Sequence, residues 1–222
     1  MKQLLLRWYR LLIVLVLVVI AWITFIALTD ASHDRTWELG QEELPRLTIE
    51  GDRLRVDHFR NFHWTGETAA DVRYESRQYD LRTLSSLDVF ISHFDDFEGL
   101  AHIFLSFGFA DGEQIVISLE SRREVGEEFS PLKGLFRQYE IIYVVGSEAD
   151  IVGVRTGPRA ERVYRYPTVA TAAQARALLE ALGEALDGEA LAVRMQRRDH
   201  AHPTRDGRQR IVVTNLARDE HI

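Results

Sequence analysis

The sequence predicts an α+β domain, mostly antiparallel sheet with a helix packed on it near the C-terminus, preceded by one N-terminal transmembrane helix. Three observations predict it. An unbroken apolar run opens the chain, short stretches of alternating apolar and polar residues fill its middle, and one stretch after Thr171 repeats its apolar residues at helical spacing. At 222 residues, with 46% hydrophobic and 27% charged side chains, the chain can bury a core, which excludes wholesale disorder. It has no cysteine, so disulfides, thiolate metal sites and a thiol nucleophile of its own are excluded. Lys and Arg number 27 against 34 Asp and Glu. Three of the basic residues (Lys2, Arg7, Arg10) precede position 11, so the remainder is more acidic than the net −7 suggests. Such a body is a poor binder of nucleic acid.

Leu11 to Leu28 is apolar throughout except for Thr24. As a helix these residues rise about 27 Å, close to the hydrocarbon thickness of a bilayer. Lys2, Arg7 and Arg10 lie before the run and Asp30 and Asp34 after it, so the positive-inside rule keeps residues 1–10 in the cytoplasm and exports the body. A cleavable signal peptide is the competing reading. Thr29-Asp30-Ala31 matches a small-x-small cleavage site poorly and the run is long for a signal, so an uncleaved span over 11–29 is expected.

The expected organisation is a polar stalk over 30–50, a domain over 51–193 and an Arg-rich tail over 194–222, with six Arg between Arg194 and Arg210. Arg53–Phe62 alternates and predicts a strand. Tyr79–Leu87 predicts a helical turn leading into a strand at Asp88–Phe94. Ala101–Phe109 and Gln114–Arg122 alternate cleanly, and Gln138–Val145, Asp150–Thr156 and Arg162–Tyr166 predict further β pieces. Thr171 and Gln174 have capping-box spacing ahead of Ala175, Leu178, Leu179 and Leu182, which predicts the helix.

The register of one hairpin follows from its pattern. A two-residue Asp111-Gly112 loop would set Leu105 against Ser118 and Ile103 against Glu120. A three-residue loop, Ala110-Asp111-Gly112, pairs Ile103 with Leu119, Leu105 with Ile117 and Phe107 with Ile115, and gives Gly112 the left-handed position. A uniformly apolar face selects the second, because a slip of one would bury a carboxylate. His102 then stands opposite Glu120, off the apolar face, with Cβ atoms about 5 Å apart. A carboxylate beside an imidazole fixes its tautomer and raises its basicity, the arrangement of a general base. A purely structural pair, or Glu120 bound instead to Arg122 or Arg123, is the alternative.

Other constellations are weaker. Ser106, Ser118 and Ser130 are conceivable nucleophiles, none in a G-x-S-x-G elbow. His200-x-His202 has metal-ligand types without a third fixed ligand. Arg55, His58, Arg60 and His63 among Phe59, Phe62 and Trp64 fit either an anionic ligand or a strand with a charged outer face. No phosphate loop, dinucleotide fingerprint or zinc motif is present, so neither cofactor nor metal is expected.

The ordered set His58-Phe59-Arg60-Asn61-Phe62, Tyr79-Asp80-Leu81, AHIFLSFGFADG (101–112), Ser118-x-Glu120-x-Arg122, Gly126-Glu127-x-Phe129-Ser130, Gly134-x-Phe136-Arg137-x-Tyr139-Glu140 and Arg155-Thr156 resembles the Lnb N-terminal periplasmic domain family. The resemblance implies a bacterial envelope protein of the inner membrane with a papain-like, permuted hydrolase-type fold, and acyl transfer onto lipoproteins as the family chemistry. It maps the family histidine onto His102. The family cysteine, in an Asn-Cys element beyond the C-terminal helix, maps onto nothing in this sequence. The resemblance thus implies a histidine base whose acyl-carrying thiol is missing, with lipid or lipoprotein as partner. A non-catalytic envelope module binding lipid or protein is the other class of function the residues allow.

Overall fold

The computed structural model describes residues 2–28, 35–93, 101–128, 130 and 139–196. Helix α1 (Lys2–Leu28) carries the apolar run, and its Arg7–Phe25 stretch is long and apolar enough to cross a membrane. Thr24, the polar residue within Leu11–Leu28, returns its hydroxyl to the Ile20 carbonyl at 2.8 Å, the usual way a hydroxyl is satisfied on an apolar helix.

The body is α+β. Strands β1 (Arg46–Glu50), β2 (Arg53–Arg60), β5 (Tyr74–Asp80), β6 (Leu84–His93), β7 (Ala101–Phe109), β8 (Gln114–Arg122), β9 (Glu140–Gly146) and β10 (Arg162–Pro167) form one eight-stranded sheet, and β3 (His63–Trp64) pairs with β4 (Ala70–Asp71) beside it. The order is β1-β2-β9-β8-β7-β6-β10 with β5 on β2, antiparallel except where β2 meets β9 through Arg60 and Gly146. At that crossing a Cβ on Gly146 would lie 2.4 Å from the Arg60 carbonyl oxygen, so only glycine lets the strands approach. Gly146→Ala should therefore cost about 1–3 kcal/mol, read as a lower urea midpoint.

Helices cover both faces of the sheet. On one, α3 (Ala172–Gln196) packs Ala175, Leu179 and Leu186 against Leu47, Val56, Phe107, Ile115, Ile117 and Val145. On the other, α2 (Glu148–Thr156) sets Ile151 into a smaller cluster with Phe90, Phe104, Val116, Ile142 and Val144. The capping box forms as expected: the Thr171 amide donates to Gln174 Oε1 at 2.9 Å and the Gln174 amide to Thr171 Oγ1 at 3.3 Å.

The structure differs from several expectations. Of the stretch expected as stalk, the described residues 35–50 pack on the body: Arg46–Glu50 is a strand paired along β2, and Trp37 is buried with a bridge to Glu124. Asp150–Thr156 is helix, because Ser147 caps it by accepting the Asp150 amide and Ile151 and Val154 share its buried side. The hairpin does not have a single buried face, because Phe104, Ser106, Val116 and Ser118 are buried beneath α2. Strand β6 also begins at Leu84, directly after a single 3-10 turn at Leu81–Thr83, and β5 occupies a stretch with no predicted strand before Tyr79. The tail from 197 onward, including His200 and His202, lies outside the described residues.

Candidate active site

The β7–β8 loop is the three-residue one. The Phe109 amide donates to the Glu113 carbonyl, Gly112 sits at φ +90°, and Leu105↔Ile117 and Phe107↔Ile115 are paired. Continued past Phe104↔Ser118, this register brings His102 to Glu120. His102 Nε2 lies 2.7 Å from Ser118 Oγ and 3.3 Å from Glu120 Oε1. Ser118 and Glu120 share a face of β8 by strand alternation, and the Ser118 hydroxyl donates to Glu120 Oε1 at 2.7 Å.

Counting protons fixes the tautomer. An ionised carboxylate only accepts, so the single Ser118 proton goes to Glu120. Ser118 Oγ can then only accept from the imidazole, which places the ring proton on Nε2 and leaves the lone pair on Nδ1. The basic atom of His102 is therefore Nδ1, on the side of the ring away from this pair.

Glu120 is held from behind by α2. Arg155 Nη2 donates to Glu120 Oε1 at 2.7 Å, Nη1 to the Ile151 carbonyl at 2.8 Å, and its guanidinium lies over the Phe104 ring at 4.9 Å. Burial by itself raises the Glu120 pKa, but the Arg155 charge and the bonds from His102 and Ser118 outweigh it. The carboxyl is held well below its ordinary value. Arg155 also faces Glu161, with Nε 3.8 Å from Oε2, and Ser92, the register neighbour of His102, hydrogen-bonds the same Glu161 oxygen. The result is a chain of alternating charge running from α2 to a histidine whose side chain is 20% exposed.

The remaining candidates go elsewhere. Ser106 donates to Glu148 at 2.6 Å, and the Ser130 amide donates to the Tyr139 hydroxyl. Arg55 is paired with Asp57, His58 bonds the Leu44 carbonyl, and His63 is exposed in the short β3–β4 pair. Arg60 is buried against Asp150, whose carboxylate also accepts the Phe62 amide and the Trp64 indole N–H. This cluster is a structural knot rather than an anion site. Arg122 and Arg123, the competitors for Glu120, bond the Gln41 and Glu42 carbonyls and Glu38 respectively. Arg155 and Glu161 are the residues that pattern reading missed. The signal for Arg155 was its place in the Arg155-Thr156 motif.

A family description, the Lnb N-terminal periplasmic domain, matches residues 70–189, more than half of the chain and the part that holds His102, Ser118, Glu120 and Arg155. No curated protein and no solved structure matches the chain.

Proposed function

The chain belongs to the Lnb N-terminal periplasmic domain family, and we propose that it is a single-pass protein of the bacterial inner membrane whose periplasmic body uses His102 as general base on an acyl group. The supporting observation is the directional chain Arg155–Glu120–Ser118–His102, which holds a partly exposed imidazole in the tautomer with Nδ1 basic. Ser118 is unsuited as the nucleophile, being fully buried with its proton given to Glu120. With no cysteine in the chain, water is the attacking group. Its oxygen bonds to the acyl carbon while Nδ1 takes its proton. The tetrahedral adduct then expels the leaving oxygen or nitrogen, to which His102 returns the proton. Hydrolysis is favoured over transfer, because transfer by this route would need a side chain to carry the acyl group.

The missing thiol favours a second reading, a non-catalytic envelope module that binds lipid or protein. Turnover of acyl esters and of a diacylated lipopeptide by the full chain in detergent separates the two. The catalytic reading expects turnover that falls about 10²–10⁴-fold in His102→Ala, with the melting temperature retained. No turnover, or turnover indifferent to His102, supports the binding module. Topology is tested by C-terminal reporter fusions, with high phosphatase activity and low cytoplasmic fluorescence expected. A mature N-terminus near Ala31 would contradict the anchor.

A further inference from the structure

One end of the sheet presents apolar side chains to solvent on the face that α3 covers elsewhere. On β7 to β9, Ile103 is 58%, Leu119 45% and Ile141 61% exposed, and Tyr164 on β10 is 48% exposed. They form a row. Tyr164 pairs with Ile91, Ile91 with Ile103, and Leu119 with Tyr143, while the hairpin register continued past Phe104↔Ser118 sets Ile103 beside Leu119. Ile141 lies two residues before Tyr143 on the same face of β9. Toward the other end of these strands the same face is buried, with Phe107, Ile115 and Val145 under α3. A contiguous exposed apolar row marks a contact surface.

The chain itself indicates what covers it. The body's first described residue, Arg35, is bound to Glu124 at 2.7 Å and approaches Glu140, the neighbour of Ile141, to 3.9 Å. Helix α1 ends at Leu28, so residues 29–34 are the whole connection. Seven steps of backbone at about 3.6 Å reach at most ~25 Å. Arg35, beside the β9 edge of the row, is thus tied within that distance of the end of the anchor. We propose that the row of Ile103, Leu119, Ile141 and Tyr164 docks on the lipid bilayer surface, holding the His102 end of the sheet against the membrane. Isoleucine and leucine side chains enter the acyl boundary and a tyrosine ring suits its polar edge. The proposal rests on α1 being the membrane anchor.

Because the chain lacks cysteine, single probes are placed at will. Leu17→Cys, Leu119→Cys, Ile141→Cys and Asp111→Cys, the last at the far hairpin tip, are each labelled with an environment-sensitive dye. The full chain is reconstituted in phosphatidylethanolamine–phosphatidylglycerol vesicles, and quenching by nitroxide-bearing lipid is measured. Positions 119 and 141 should be quenched several-fold more than 111, with blue-shifted emission, and 17 most of all. Quenching at 17 with 119 and 141 no different from 111 overturns the docking and leaves the anchor standing. Blue-shifted but unquenched probes at 119 and 141 mean that protein covers the row, and also overturn it. A probe at 17 that escapes quenching removes the anchor, and the docking with it.

Discussion

Asp150→Ala should destabilise the body by about 3–5 kcal/mol, the cost of leaving one member of a buried ion pair without its partner. Asp150 is fully buried and receives Arg60 Nε at 2.9 Å, the Phe62 amide at 2.8 Å and the Trp64 indole at 2.7 Å. Removing the carboxylate orphans three donors at once, one of them a guanidinium with 9% exposure. It also takes an acid from the first turn of α2, where it complements the helix dipole. Urea unfolding measures the loss. The double variant Arg60→Met/Asp150→Leu should recover much of it, since an apolar pair removes the unpaired charge. A loss under about 1 kcal/mol for the single change would show that water reaches Arg60.

The second large effect concerns Arg155→Met. Glu120 would keep its burial and lose its cation, at about 3 kcal/mol near neutral pH, the lower end of the range because its side chain retains 22% exposure. The pH dependence should be weaker in the variant than in the parent chain. In the parent chain the folded Glu120 pKa is depressed, so its contribution is full above the unfolded carboxylate value and fades as pH falls toward the folded one. In Arg155→Met, burial is opposed by the His102 and Ser118 bonds alone, so the Glu120 pKa moves up from its depressed value and the variant has less of this stabilisation to lose as pH falls. Unfolding midpoints from pH 4 to pH 8 should therefore show the gap between the two proteins narrowing toward acid. A gap independent of pH would mean that Arg155 acts through its packing on Phe104 alone.

How much of this was legible in the sequence depends on the range of the interaction concerned. The β7–β8 hairpin could be read to the residue because its turn glycine, its alternation and its loop length are local and agree. The Thr171–Gln174 capping box is local for the same reason. The segment Asp150–Thr156 misled because Ile151, Val152 and Val154 favour strand locally, while the Ser147 cap and burial of one side against the sheet decide for helix. Strands β1 and β5 are rich in charged outer residues, so their alternation is faint until β2 is seen between them. Arg155 is separated from Glu120 by 35 positions and comes from the helix read as strand, so spacing could not reveal the pair. Ser118 could be read as a conceivable nucleophile but not as the bridge that directs a proton, a role that requires the His102 and Glu120 distances together. The exposed row of Ile103, Leu119 and Ile141 was equally hidden, because apolar alternation alone does not say where α3 stops covering the sheet.

Which nitrogen of His102 is basic decides whether the site holds a base, and selective 15N labelling of the imidazoles reports this directly. With the other histidines assigned by substitution, the neutral ring of His102 should show a protonated Nε2 and an Nδ1 with the shift of a bare, pyridine-like nitrogen. The Glu120→Gln variant, whose amide can also donate, should weaken that preference. A His102 ring carrying its proton on Nδ1 in the parent chain would contradict the Ser118–Glu120 relay and leave the site without its base.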